Sequence, residues 1–117
     1  MKQAAYILLY KHLDELGLFG QGEVKFHPTR KWRLDFVLFW KEGLVPTRIA
    51  VEIEGAIWSR GRHTRGKGYQ ADLDKYNAAT MMGYRVLRFS TEDVFRGRAK
   101  AFLAEHLSGA AERSQKP

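Results

Sequence analysis

Arg48-Ile49-Ala50-Val51-Glu52-Ile53-Glu54-Gly55 decides the fold. Ile49, Val51 and Ile53 alternate with Ala50, Glu52 and Glu54, and a period of two is the signature of a β-strand. A strand this apolar is expected to be central, with both faces covered. Two carboxylates on the second face then need compensation, because a buried anion without a partner costs several kcal/mol. A cationic neighbour is therefore expected. Asp35, inside the apolar run Trp32-Arg33-Leu34-Asp35-Phe36-Val37-Leu38, is a third acid of the same kind. Three acids set into strands suit a hard divalent cation, since Mg²⁺ takes oxygen ligands and keeps several waters. The alternative is that Glu52 and Glu54 lie on the exposed face of an antiparallel strand.

The rest of the chain can be laid out around this strand. Gln3 to Leu16 has helical spacing in Ala5, Leu9, Leu13 and Leu16, with Gly17 as its C-terminal cap. Gly20 and Gly22 suggest a turn, Val24 to His27 a short strand, and Pro28-Thr29-Arg30-Lys31 a basic turn. Leu34 to Trp40 is a strand with Asp35, Val37 and Phe39 on one face. Lys41-Glu42-Gly43 leads back to the central strand, which completes an antiparallel meander. Gly55 to Lys67 is a glycine- and arginine-rich loop. A helix from Tyr69 to Met82 follows, with Tyr69, Leu73, Tyr76 and Thr80 as its stripe. Then come a strand from Tyr84 to Phe89 and a helix from Glu92 to Leu107, whose start carries Ser90 and Asp93 as a capping box. The connection from the central strand to the last one is long enough for a parallel crossover. Residues 1–109 are expected to form one domain and 110–117 a flexible tail.

Composition narrows the function. The chain has 117 residues, 44% hydrophobic, with a net charge of +7 and no cysteine. Disulfides and thiolate metal sites are excluded, and a reducing, cytoplasmic compartment is expected. No stretch suggests a signal peptide or a membrane span. The positive balance favours an anionic partner, above all nucleic acid. Basic residues flank both acid positions: Arg30, Lys31 and Arg33 near Asp35, and Arg60, Arg62, Arg65 and Lys67 after Glu54. They suit phosphate contacts, which position DNA without reading its sequence. The alternative for each is a solvated charge. His63, in the same loop, suits a phosphate contact, and Trp58 could stack on an unpaired base or pack the loop. The four histidines lack zinc-ligand spacing. Tyr69, Tyr76 and Phe89 are expected in the core, and Arg88 on the surface of its strand.

Asp35, 16 intervening residues, then Glu52-Ile53-Glu54 in an α/β chain of αβββαβ order resembles the PD-(D/E)XK nuclease superfamily. Gly61-Arg62-His63, Gly66, Asp72, Lys75-Tyr76-Asn77, Gly83 and Val86-Leu87-Arg88-Phe89 are similar to small phage-type endonucleases. Those are related to archaeal-type Holliday-junction resolvases and very-short-patch-repair nucleases. The resemblance implies a restriction-endonuclease-like core: a central mixed sheet flanked by helices, here with an extra C-terminal helix. It implies Asp35, Glu52 and the carbonyl of Ile53 as ligands of Mg²⁺, or Mn²⁺ in its place. Glu54 stands where lysine is usual, and could orient water or hold a second metal. Lys75 or Gln70 could supply the missing polar group. The implied activity is cleavage of branched DNA by a homodimer in a bacterial, archaeal or phage-infected cell. The alternatives are a nicking repair enzyme of very-short-patch type and a non-catalytic nucleic-acid-binding module.

Overall fold

The structure, a computed structural model, describes residues 2–42, 44–55 and 67–107. Helix α1 (Lys2–Glu15) is followed by strands β1 (Gly20–Lys25), β2 (Arg33–Glu42) and β3 (Val45–Glu54). Helix α2 (Lys67–Met81), strand β4 (Tyr84–Ser90) and helices α3 (Thr91–Phe95) and α4 (Arg98–His106) complete the order. The four strands form one mixed sheet in the order β1-β2-β3-β4, antiparallel except for the parallel β3–β4 pair. β3 is therefore an inner strand, and its alternation sorts two cores. Ile49, Val51 and Ile53 join Phe36, Leu38 and Trp40 under α1, α3 and α4. Ala50 joins Val37, Tyr84 and Ala79 on the α2 side.

The α1 stripe folds as its spacing predicts, with Ala5, Leu9 and Leu13 buried. Gly17 ends the helix at φ 71°, a left-handed conformation that glycine adopts at no steric cost. Three readings of the sequence need correction. Gly20 and Gly22 are not a turn but the start of β1. They are glycines because the backbone is crowded. A β-carbon on Gly20 would overlap the Val37 carbonyl, and one on Gly22 the Tyr6 hydroxyl. The last helix is two helices, broken at Gly97 (φ 77°). The apolar stripe expected on α2 is largely outside: Tyr69 is 45% exposed and Leu73 38%. The face of α2 turned to the sheet instead carries Lys75, Tyr76, Ala78 and Ala79. No helix among the described residues is long and apolar enough to cross a membrane.

The capping box at α3 forms: Asp93 N–H donates to Ser90 Oγ (2.9 Å), and Ser90 N–H donates to Asp93 Oδ2 (3.0 Å). The Ser90 amide, with Arg98 adding to it, holds the Asp93 carboxyl below the usual range. A depressed carboxyl contributes stability above its unfolded value near 3.9, and that contribution disappears as pH falls through the lower folded value. The melting temperature should therefore drop as pH falls below about 4. Asp93→Ala should lower it at pH 7, by removing one half of the capping box, and flatten that acid limb. An acid limb of unchanged steepness in Asp93→Ala would refute the assignment.

Candidate active site

Strands β2 and β3 pair from Glu42↔Val45 down to Phe36↔Val51, and there the ladder stops although both strands continue. Beyond that point β2 pairs only with β1, through Val24↔Leu34 and Lys25↔Arg33. β3 goes on beside β4, through Glu52↔Arg88, Ile53↔Phe89 and Glu54↔Ser90. The strands fork, and two carboxylates replace the missing backbone bonds. Glu52 Oε2 accepts the Asp35 N–H at 2.6 Å, and Asp35 Oδ2 accepts the Ile53 N–H at 2.8 Å. Hydrogen bonds to an ionised acceptor are the strong kind, so the fork is held open by its own acids.

The β1–β2 ladder is also disturbed here. It has no pair between Gly22↔Phe36 and Val24↔Leu34. Glu23, which would face Asp35, has φ 55°, the one positive value outside glycine among the described residues. Leu34 and Val37 lie in the same core cluster, so the side-chain alternation of β2 breaks between them.

Cations then close on the acids from three directions. Glu52 is 3% exposed, and its Oε1 accepts from Lys75 Nζ at 2.8 Å and Tyr76 Oη at 3.0 Å. Glu54 pairs with Arg88 of β4, whose guanidinium lies 4.3 Å over the Tyr76 ring. Asp35 Oδ1 lies 3.7 Å from Lys2 Nζ at the start of α1. Among the described residues each of the three acids thus has one cation, which is the expected compensation. The Tyr76 hydroxyl sits 3.5 Å from Glu54 as well. Burial first, and then the Glu52 and Glu54 charges, push its pKa far up, so it stays a donor. The bond to Glu54 likewise raises the pKa of Arg88.

Of the residues singled out in the sequence, Asp35, Glu52 and Lys75 come together, with Glu54 one step away through Tyr76. Gln70 does not join them: its Nε2 donates to Asp74 Oδ1 at 2.9 Å on the exposed side of α2. Arg30, Lys31 and Arg33 are exposed at the entry to β2, Arg30 lying 4.0 Å over the Trp32 ring and Arg33 4.0 Å from Glu23. Trp58, Arg60, Arg62, His63 and Arg65 lie outside the described residues, as does the side chain of Lys67, whose backbone begins α2.

Sequence reasoning missed three members. Tyr76 is no simple core residue, since its hydroxyl enters the acid cluster. Arg88 is exposed, as expected, but it also pairs with Glu54. Lys2 carried no signal. The parallel register offered one for Arg88, because it sets a cation directly beside Glu52.

Among the described residues no three His, Asp or Glu side chains converge as metal ligands. Mg²⁺ needs fewer: one or two carboxylates, with waters and substrate phosphate completing its shell. Asp35 and Glu52, facing each other across the fork, meet that requirement. Glu54 is paired with Arg88. No protein-family model, no curated protein and no solved structure matches the chain.

Proposed function

We propose that this protein is a Mg²⁺-dependent DNA endonuclease that hydrolyses phosphodiester bonds, with branched DNA as its preferred substrate. The observation that carries this reading is the fork: Asp35 and Glu52 meet where β2 and β3 part, and Lys75 stands on Glu52. Asp35 and Glu52 would hold the cation, with the Ile53 carbonyl beside them. Bound there, Mg²⁺ would polarise the scissile phosphate and lower the pKa of an attacking water. Lys75 supplies from α2 the ammonium that the nuclease family usually carries at the position of Glu54. There it orients the nucleophile and stabilises charge developing on the phosphate. Tyr76 fixes the Glu52 carboxylate by donating to it, and Arg88 cancels the charge of Glu54, which would otherwise repel phosphate. The net charge of +7 draws DNA toward this site. Branched DNA and a homodimer are carried by the family resemblance, because two symmetric cuts need two sites.

The pairing of each acid with a cation among the described residues favours a second reading, a nucleic-acid-binding module without catalysis, since these cations offset the acids without a metal. A cleavage assay separates the two. Labelled duplex, single-stranded and four-way DNA are incubated with Mg²⁺, with Mn²⁺ or with EDTA. The expected result is cutting of the four-way substrate in either metal and none in EDTA. Cleavage that survives EDTA would overturn the metal mechanism. Binding without any cleavage would establish the second reading.

A further inference from the structure

The fork is lined on its other side by α1, which also brings a lysine and a tyrosine to it. Lys75 and Tyr76 bond Glu52 from α2, while on α1 Lys2 lies near Asp35 and Tyr6 packs on the neighbouring Phe36. Tyr6 stacks on Phe36 with ring centroids 4.4 Å apart and planes 17° apart, so its ring is fixed. Its hydroxyl reaches the place above Gly22 that a β-carbon would fill. Gly22 faces Phe36 in the β1–β2 ladder, one residue from Asp35. A phenol keeps its proton at neutral pH, so Tyr6 offers an O–H donor.

The two lysines differ in how firmly they are held. Lys75 lies 2.8 Å from Glu52 with its side chain 15% exposed. Lys2 lies 3.7 Å from Asp35 with its side chain 55% exposed. A half-exposed pair at that distance contributes little. A phosphate, with its charge and several acceptor oxygens, competes well for such an ammonium. Lys75 is committed to Glu52, whereas Lys2 is free to change partner.

We infer that Lys2 and Tyr6 form a phosphate-holding pair that positions a backbone phosphate of bound DNA over the fork, opposite Lys75 and Tyr76. This rests on the reading of the chain as a DNA-binding nuclease. Both are positioning residues: Lys2 supplies charge and Tyr6 a fixed donor.

The test measures binding of a short fluorescent DNA duplex to the full chain in Ca²⁺ over a range of salt, and then single-turnover cleavage in Mg²⁺. Lys2→Gln should reduce the slope of log K against log salt by about 0.9, the value for one lost phosphate contact. Lys11→Gln, farther along α1, removes the same charge away from the fork and should leave the slope near that of the wild type. Tyr6→Phe keeps the ring on Phe36 and removes only the hydroxyl, and should weaken binding about tenfold. If Lys2→Gln and Tyr6→Phe both bind as the wild type does, the inference is overturned. If Lys11→Gln lowers the slope as much as Lys2→Gln, the effect belongs to net charge, and the inference is again overturned. Wild-type protein that binds in Ca²⁺ but never cuts in Mg²⁺ overturns the nuclease reading alone, because the binding comparison needs no turnover.

Discussion

Glu52→Gln should lower the unfolding free energy by about 3 kcal/mol, the cost of breaking a buried ion pair from one side. The two oxygens of Glu52 accept three donors: the Asp35 N–H, Lys75 Nζ and Tyr76 Oη. An amide has one acceptor oxygen and two N–H donors. Whichever way the substituted amide turned, one side would set donor against donor, and the Lys75 ammonium would keep its charge without a counter-ion. Lys75→Met in the same chain should restore most of the loss. The amide oxygen can then serve Asp35 and the amide N–H can donate to the Tyr76 oxygen, with no buried charge left. Glu52→Gln/Lys75→Met should therefore unfold in urea within about 1 kcal/mol of the wild type and remain inactive. Additive losses from the two single changes would show that the pair is not coupled.

Asp35→Asn should act in the opposite way, sparing the fold and removing activity. The Asn carbonyl can still accept the Ile53 N–H, and the pair with Lys2 is weak and exposed. Stability should change by less than about 1 kcal/mol. Cleavage should fall by about 1000-fold or more, since the negative charge needed to hold a cation beside Glu52 is gone. Retained DNA binding in Ca²⁺ would show that only chemistry is lost. Cleavage within about tenfold of the wild type would remove Asp35 from the mechanism.

Much of this arrangement was legible in the sequence. The alternation around Glu52 marked the strand, its two faces and its inner position, and Asp35 marked the partner strand. The element order up to β4 was legible too, because each helix has its own period and each strand its own alternation. The break at Gly97 that divides the last helix was not, and neither were three other things. Gly20 and Gly22 carried a turn signal locally, but close approach of Val37 and Tyr6, residues distant in sequence, is what demands glycine there. The apolar stripe of α2 misled because the sheet face beneath it is partly ionic, so Lys75 and Tyr76 take the inner side that Tyr69 and Leu73 were expected to hold. Arg88 is a surface residue, as its alternation suggests, but its bond to Glu54 was hidden because strand alternation records only which side a residue takes. What waits on that side depends on the neighbouring strand, and for β4 that neighbour is β3 with its two acids. The charge balance of the site is thus a tertiary property, assembled from α1, β2, β3, α2 and β4.

The change from antiparallel to parallel pairing at β3 has a bearing on how the chain comes together. β1, β2 and β3 are joined by short connections and can meet early, since nearby segments close loops at small entropic cost. A parallel neighbour must arrive by a long crossover and is slower to place. Glu52 and Glu54 belong to the early part, while Lys75, Tyr76 and Arg88 belong to the late one. Until α2 and β4 dock, both acids still face water. In the native state Lys75 and Tyr76, which cover Glu52 from α2, are also its partners, so burial of this carboxylate and delivery of its counter-ion depend on the same docking of α2.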